Sequence, residues 1–279
     1  MQRQSIGIIG LGLMGGSLSI ALKKTSNHFY FLGLDHNEVH CKEALALGLV
    51  DEVIYTLDEI KSCDIIILTI PVDGIIHIAQ KLHPLNPHCT VIDFGSTKEK
   101  ISLNIPQEIR QNFVTAHPMT GTEKFGPSAA IPELYKDKTV VLCDIEKSAE
   151  HQQTTAKNLF ASIGMKLVYM DAKEHDRHAA FISHMPHALS YALANSVTQQ
   201  EDSTNIVALA AGGFKDMSRI AKSSPDMWED IFRQNSTNLL ESIYSFESEL
   251  KKCRKMIENE EWHTLNLWMK EANTLHDIL

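Results

Sequence analysis

A glycine-rich segment near the start of the chain, Gly10-Leu-Gly-Leu-Met-Gly15, has the spacing of a dinucleotide-binding loop. An apolar run precedes it, and a second apolar run ends in an acidic residue, Asp35, about 20 residues further on. At this spacing Gly10 permits a tight turn, Gly12 lets the backbone approach a pyrophosphate, and Gly15 lets the following helix pack close to a sheet. The segment therefore predicts a helix whose first amides bind the phosphates of a dinucleotide.

Asp35 also predicts which dinucleotide is bound. Its carboxylate can accept hydrogen bonds from the adenosine ribose hydroxyls, and it would repel the 2′-phosphate of NADP. Because neither His36 nor Asn37 supplies a fixed positive charge for such a phosphate, we predict NAD as the cofactor. We expect four further residues to contribute to the cofactor site: Leu13, Met14, Ile70 and Pro71.

Other polar side chains have the types that acid–base chemistry and anion binding need. Ser96 and His117 each follow a predicted strand, and histidine changes its protonation state near neutral pH. Arg219 carries a planar guanidinium that can bind a carboxylate through two hydrogen bonds. His184 and His187 share one face of a predicted helix. Since no cysteine or acid accompanies these two in sequence, we predict core or substrate contacts and no metal site.

The elements that position these residues alternate between strand and helix in the first 170 residues. Apolar runs predict seven strands: Ser5–Ile9, Phe29–Leu34, Asp64–Ile70, Thr90–Phe94, Phe113–Ala116, Thr139–Cys143 and Met165–Met170. Helical patterns between them include Gly15–Lys24, Asn37–Gly48 and Gly74–Leu82. This alternation predicts an α/β fold, with a Rossmann-type, doubly wound parallel sheet as the dinucleotide-binding domain over residues 1–170.

Residues 171–279 contain helical patterns and almost no strand signal. Pro186, Gly212-Gly213 and Pro225 predict breaks between four or five helices, and residues 227–257 carry apolar side chains at helical spacing. We therefore expect an all-α C-terminal domain that binds substrate. A helical unit of this size commonly needs a partner to cover its long faces, which predicts a homodimer built through it.

Composition limits the partners further. The 279 residues carry a formal net charge of −9, which argues against a nucleic-acid-binding protein. The five cysteines form no CxxC pair, and this is typical of reduced thiols in the cytoplasm. The apolar run 5–22 is interrupted by five glycines and lacks a basic flank, so we interpret it as strand and helix, not as a signal peptide. We predict small-molecule ligands, no membrane association and a cytoplasmic location.

Five later segments, taken in order with the glycine-rich loop, resemble the prephenate/arogenate dehydrogenase family of tyrosine biosynthesis. They are Asp93-Phe-Gly-Ser-Thr-Lys98, His117-Pro-Met-Thr-Gly-Thr-Glu123, Ile182-Ser-His-Met-Pro-His187, Gly212-Gly-Phe-Lys-Asp-Met-Ser-Arg219 and Trp228-Glu-Asp-Ile-Phe-Arg-Gln-Asn235. The resemblance runs from Ile6 to about Phe246. Because the chain ends soon after the helical part, we expect a monofunctional form, without the mutase or sensing domain of some relatives.

The resemblance implies oxidative decarboxylation of prephenate by NAD to 4-hydroxyphenylpyruvate, without a metal. It implies that His117 accepts the proton of the ring hydroxyl as general base. It also implies that Ser96 lies close to that hydroxyl and to the nicotinamide of the cofactor, where it orients His117 and the substrate. Arg219 would bind a substrate carboxylate, His187 would help to bind substrate, and His184 would bind or support it. Four residues would complete the site: Thr122, Glu123, Asp216 and Trp228.

Several alternatives remain open at the level of sequence. Arogenate is a possible substrate, although no additional acid is evident for its ammonium group, which favours prephenate. A β-hydroxyacid dehydrogenase would use a lysine early in the helical domain, where the stretch 171–187 offers only Lys173 among several histidines. An imino-acid reductase would have little use for the segment at His117. A non-catalytic NAD-binding module would not need Ser96, His117 and Arg219.

Overall fold

An eight-stranded sheet forms the first part of the chain in the computed structural model, which describes residues 3–26, 28–200 and 203–277. Its strands lie in the order β3-β2-β1-β4-β5-β6-β7-β8. Their bounds are β1 Gln4–Ile9, β2 Phe29–Leu34, β3 Glu52–Val53, β4 Ile65–Leu68, β5 Thr90–Asp93, β6 Phe113–Pro118, β7 Thr139–Cys143 and β8 Lys166–Met170. All neighbours pair in parallel except β6 and β7, which are antiparallel.

The central strand β4 is buried on both faces. Ile65 and Ile67 pack into one hydrophobic cluster, and Ile66 and Leu68 pack into a second cluster on the opposite face. Burying each such side chain stabilises the fold by roughly 1.5–3 kcal/mol. The uninterrupted apolar run that predicted this strand is thus explained by a sheet with both faces covered.

Helices cover both faces of the sheet. They are α1 (Leu13–Thr25), α2 (Glu38–Ala46), α3 (Leu57–Ile60), α4 (Val72–Ala79), α5 (Glu99–Asn104) and α6 (Glu150–Ser162). Helices α1 and α6 contribute to the first cluster, and α4 and α5 to the second. Strand β1 lies between β2 and β4, so the strand order reverses there and leaves a crevice at the carboxyl ends of the strands. The doubly wound α/β fold is confirmed.

Apart from shifts of one or two residues at other strand ends, two details of the sheet differ from the sequence prediction. Strand β3 was not predicted, because only two residues, Glu52 and Val53, pair with β2. The predicted strand at 64–70 is shorter at both ends. Asp64 precedes β4 and its carboxylate instead accepts a hydrogen bond from the backbone N–H of Ser5 at 2.8 Å, while Thr69 turns its hydroxyl toward the carbonyl of Gly10 at 2.6 Å.

The rest of the chain is helical, with bounds α7 Ala172–Ala179, α8 Met185–Thr198, α9 Ser203–Ala208, α10 Gly212–Ser218, α11 Pro225–Gln234, α12 Ser236–Glu258 and α13 Trp262–Asn273. In residues 171–200 and 203–277 these are seven α-helices, so the expectation of four or five was wrong. One of the additional breaks lies at Asn235, which leaves the helical conformation between α11 and α12. Pro186 does not break α8, because it lies in the first turn of that helix. Backbone N–H groups in a first turn have no acceptor within the helix, so the missing N–H of proline is tolerated there.

A π-helical turn at Ala180–His184 joins α7 to α8. Such turns often mark functional sites, and this one carries a predicted site residue. Within the described ranges, no helix is both long enough and apolar enough to cross a membrane.

Candidate functional site

The glycine-rich loop has the geometry that its spacing predicts. Gly10 has a φ of +99°, and a Cβ there would lie 2.5 Å from the carbonyl oxygen of Thr69. A Cβ on Gly15 would collide with the carbonyl oxygen of Gly10. On Gly12 the nearest protein atom to such a Cβ would be 3.9 Å away. Packing within the protein therefore requires glycine at positions 10 and 15. At position 12 no such collision occurs, so the absence of a side chain there suits the approach of a ligand.

Helix α1 begins within this segment, at Leu13. Its N-cap is Gly12, which has no side chain to accept hydrogen bonds from the backbone N–H groups of the first turn. Leu13 and Met14 are the first two residues of that turn. Free amides at a helix N-terminus bind anions. The loop and α1 thus fit the diphosphate of a dinucleotide.

Asp35, at the end of β2, is held against the same loop. Its carboxylate accepts hydrogen bonds from the backbone N–H of Leu11 at 2.8 Å and of Asn37 at 2.9 Å. His36 Nδ1 and His40 Nδ1 lie 3.3 and 3.7 Å from its two oxygens. A carboxylate has about four acceptor positions, so Asp35 can still accept from ribose hydroxyls.

Two further predicted cofactor residues follow β4. Ile70 packs beside the loop, because a Cβ on Gly10 would lie 2.8 Å from its Cγ2. Pro71 is exposed and is the N-cap of α4. Both therefore lie at the carboxyl edge of the sheet near the glycine-rich loop.

A chain of three side chains leads from the end of β6 into the helical part. His117 Nδ1 lies 2.8 Å from His175 Nε2, and His175 Nδ1 lies 2.8 Å from Asp176 Oδ1. The backbone N–H groups of Lys98 and Glu99 also donate to the Asp176 carboxylate, at 2.7 and 2.9 Å. His175 and Asp176 are buried. We call His117, His175 and Asp176 the His–His–Asp relay.

The donors around Asp176 determine the tautomers of both rings. Because a carboxylate only accepts, His175 donates from Nδ1 and presents a lone pair at Nε2. His117 then donates from Nδ1 to that lone pair. Its Nε2 is left as the unprotonated nitrogen, which is the atom that a general base needs.

Burial of the ring lowers the pKa of His117 well below its ordinary value of 6.5, and the nearby His175 and Lys98 lower it further. His117 is therefore neutral at physiological pH. Burial also lowers the pKa of His184, to about 4, and that of His187. These imidazoles enter the site as uncharged hydrogen-bonding groups.

A buried ion pair holds the strand ends beneath the relay. Lys98 Nζ contacts Asp93 at the end of β5, and both side chains are completely buried. Lys98 Nζ also donates to the carbonyl oxygen of Ala116 at 2.7 Å. Ala116 immediately precedes His117, so this pair positions the backbone that carries the first ring of the relay.

A second cluster combines α8 and α11. The rings of His187 and Trp228 are stacked, with centroids 3.5 Å apart, and His184 meets Trp228 edge-on at 6.2 Å. Asn235 Nδ2 donates to the backbone carbonyl of Asp176 at 2.7 Å and lies 3.1 Å from His184 Nδ1. The relay and the Trp228 stack are therefore joined through Asn235.

Ionic contacts tie this cluster to the sheet. Asp73, in the first turn of α4, accepts from Arg233 and Gln234 of α11, each at 2.7 Å. The Arg233 guanidinium and Lys100 lower the pKa of Asp73 to about 2. Trp228 on α11 also lines an open cleft of about 570 Å³ between α8 and α11.

The remaining predicted residues are less closely connected. Ser96 is half-buried after β5, and its hydroxyl makes no hydrogen bond within the described ranges. Glu123, Asp216 and Arg219 are exposed and form no ion pair with described residues. The Thr122 hydroxyl accepts from the Lys124 backbone N–H at 3.2 Å. These side chains are free to meet a ligand, and no contact within the chain brings them together.

Sequence reasoning missed His175 and Asp176. They lie in a run rich in charged residues that is typical of a solvated helix, and no local spacing links them to His117. Lys98 and Asn235 are the last residues of the family-like segments 93–98 and 228–235. Their place in those segments was the signal in the sequence that could have indicated a role in the site.

Comparisons with known proteins identify the family of the chain. A family model described as the prephenate dehydrogenase nucleotide-binding domain matches residues 18–169, and one described as the prephenate dehydrogenase dimerization domain matches residues 171–271. The prephenate dehydrogenase of Bacillus subtilis is 31% identical over 99% of this chain and 76% of its own length. The cyclohexadienyl dehydrogenase of Zymomonas mobilis is 32% identical over 98% of this chain and 97% of its own.

A crystal structure of prephenate dehydrogenase from A. aeolicus, in complex with hydroxyphenyl propionate and NAD⁺, has a similar fold. It superposes with a TM-score of 0.91 at 32% identity, and covers 99% of this chain and 98% of that one. Two family models together span almost all of the sequence, and relatives above 30% identity align over nearly its full length. The chain therefore belongs to the prephenate dehydrogenase family.

Proposed function

We propose that this protein is an NAD-dependent prephenate dehydrogenase of tyrosine biosynthesis that acts in the cytoplasm. The observation that carries the proposal is the His–His–Asp relay, which presents an unprotonated His117 Nε2 at the sheet edge that also holds the glycine-rich loop. A neutral imidazole is suited to accept a hydroxyl proton. The bound NAD would supply the hydride acceptor.

The chain's own residues would carry the proton. His117 Nε2 takes the proton of the ring hydroxyl as that carbon loses hydride and becomes a carbonyl. The ring carboxylate then leaves as carbon dioxide, and its electron pair makes the ring aromatic. The proton held on His117 can return to the phenolic oxygen, so the base is regenerated. His175 and Asp176 stabilise the intervening imidazolium through their hydrogen bonds.

Other residues would bind the substrate. We propose that Arg219 binds a carboxylate, because its guanidinium is exposed and has no acidic partner in the described chain. Ser96 has a free hydroxyl for the substrate ring hydroxyl. Trp228 has a buried indole N–H without an acceptor among described residues, and it is stacked on His187. Three residues would lie around the entrance: Thr122, Glu123 and Asp216.

We further propose a homodimer through the helical part, with the domain boundary at 170/171. Strand β8 ends at Met170 and α7 begins at Ala172. Large apolar side chains of the helical part are exposed in the single chain, including Ile182, Leu209, Met217, Leu240, Tyr244, Leu250, Trp262, Leu267 and Leu275. A second copy covering them would remove a large apolar area from water.

Arogenate is the second candidate substrate, because one relative aligned over nearly its whole length is named a cyclohexadienyl dehydrogenase. Arogenate carries an ammonium group where prephenate carries a keto group, and an acid facing that group would favour it. Glu123 and Asp216 are exposed acids without an ion pair in the described chain. We favour prephenate as the substrate, because no described contact holds the carboxylate of Glu123 or Asp216 in the site.

The test is NADH formation, followed by absorbance, with prephenate and arogenate supplied separately. The wild type is compared with His117→Asn, and with His178→Asn as a control on the exposed side of α7. We expect turnover that falls by roughly 10²- to 10⁴-fold in His117→Asn and is unchanged in the control. If the wild type binds NAD and oxidises neither substrate, the proposed reaction is wrong.

A further inference from the structure

The connection between β6 and β7 folds back across α1. The backbone N–H of Ile131 donates to Ser17 Oγ at 2.8 Å, and the hydroxyl of the buried Tyr135 donates to the Met14 carbonyl at 2.7 Å. Both acceptors lie in α1, the helix that begins at the glycine-rich loop. These bonds fix the connection to the first turns of α1, next to the glycine-rich loop.

A turn at Gly126 brings this connection close to Gly12 of the glycine-rich loop. The backbone nitrogen of Gly126 is the nearest atom to a Cβ on Gly12, at 3.9 Å. On its other side, His40 Nε2 is the nearest atom to a Cβ on Gly126, at 3.8 Å. His40 in turn lies beside Asp35. Gly126 therefore lies between the position for a diphosphate and the position for the adenosine ribose.

Two groups at this turn are open to a ligand, as far as the described residues go. The N–H of Gly126 makes no hydrogen bond to any described residue. The adjacent Phe125 is 81% exposed. An unpaired N–H beside the first turn of a helix adds a donor for an anion, and an aromatic ring beside a nucleotide offers a stacking surface for the base.

We propose that the tip Phe125-Gly126 is the outer wall of the dinucleotide site. The Gly126 N–H donates to the diphosphate, and the Phe125 ring packs on the adenosine half. This assignment rests on the proposed use of NAD and adds to it a contact that the glycine-rich loop and Asp35 do not provide.

The experiment measures dissociation constants of NAD and of ADP-ribose, which lacks the nicotinamide, by calorimetric titration. Phe125→Ala is compared with Phe125→Tyr, which keeps the ring, and with Leu103→Ala, which removes a similarly exposed side chain (75%) from α5. We expect Phe125→Ala to weaken both ligands by about tenfold, since stacking on a base contributes on this scale. Phe125→Tyr and Leu103→Ala should bind both ligands as the wild type does.

Equal affinity of Phe125→Ala and wild type for ADP-ribose would overturn the proposal. So would a loss confined to NAD, because the contact would then lie on the nicotinamide half. A loss accompanied by a lower melting temperature of the ligand-free variant would also overturn it, since the ring would then stabilise the fold. If the wild type binds neither NAD nor ADP-ribose, the proposed NAD-dependent function is wrong, and the proposed role of Phe125 and Gly126 is wrong with it.

Discussion

His117 Nδ1 lies 2.8 Å from His175 Nε2, although 58 positions separate the two residues in the chain. His117 belongs to β6 of the sheet and His175 to α7, the first helix after the sheet. The protonation and orientation of the proposed base are therefore set by a residue of the helical part. Correct chemistry requires that part to be docked on the sheet.

Replacing His175 by asparagine should reduce kcat by roughly a hundredfold, with a small change in KM. The reason is that His117 loses the acceptor that keeps its proton on Nδ1, and a base in the wrong tautomer cannot accept at Nε2. Steady-state kinetics check this prediction, with His178→Asn as the matched control because that ring is exposed and pairs with Glu174, at 3.3 Å, on the outside of α7. A kcat within threefold of wild type would show that the relay is dispensable.

The pH dependence should follow the lowered pKa of His117. The base works when it is unprotonated, and burial moves its protonation well below pH 6.5. Therefore kcat/KM should stay constant as pH falls to 6.5 and should decline only in more acidic buffer. A pH profile from 4.5 to 8, taken with a stability control at each pH, measures this. A half-maximal rate at or above pH 6.5 would contradict the assignment of His117 as a buried base.

Gly12→Ala should impair NAD binding, whereas Gly15→Ala should impair the stability of the fold. A methyl group at Gly12 meets no protein atom closer than 3.9 Å, so the variant should keep its melting temperature. The same methyl occupies the space for the diphosphate and should weaken NAD binding by about tenfold or more. A methyl at Gly15 collides with the Gly10 carbonyl and should destabilise the fold by roughly 1–3 kcal/mol.

Thermal melting and NAD titration of both variants separate these effects. If Gly12→Ala lowered the melting temperature as much as Gly15→Ala, the space at Gly12 would serve packing and not a ligand. Unchanged NAD affinity in a stable Gly12→Ala would mean that the diphosphate lies elsewhere.

Lys98→Met should destabilise the fold by about 3–5 kcal/mol, because the buried carboxylate of Asp93 loses its positively charged partner and keeps the backbone N–H groups of Gly95 and Ala116 as donors. The double variant Lys98→Met/Asp93→Leu should recover most of this loss, since it removes the buried charge as well. Urea unfolding measures both. The exposed pair of Lys24 and Glu133 is the comparison, and Lys24→Met should change the unfolding midpoint little. Equal losses in the single and double Lys98 variants would contradict the charge argument.

The parts of the site that sequence predicted are local. The glycine-rich loop and Asp35 follow from spacing within one strand–helix–strand unit, and the strong strand at Ile65–Leu68 follows from an apolar run that only a doubly covered strand explains. Each of these features is determined by neighbours in the chain, so the sequence carries the signal directly.

The parts that sequence missed depend on tertiary contacts. Asp176 has no local feature that distinguishes it from a surface acid, and its role appears only when Lys98 and Glu99 bring their N–H groups to it. Asn235 interrupts a helix whose apolar spacing continues on both sides. Its side chain donates to the Asp176 carbonyl, while its backbone keeps hydrogen bonds to Ile231 and Leu239, so the tertiary contact is what distinguishes this residue.

The antiparallel pairing of β6 and β7 has a consequence for how this protein can diverge. Because β6 ends and β7 begins at the same edge of the sheet, the connection between Pro118 and Thr139 never has to cross a face of the sheet. Insertions or deletions near Phe125 can therefore remodel the wall of the ligand site while the strand register is preserved. In evolution, and in engineering, ligand preference can change at the exposed tip near Phe125 with little cost to folding, because the connection is held to α1 further along the chain, at Ile131 and Tyr135.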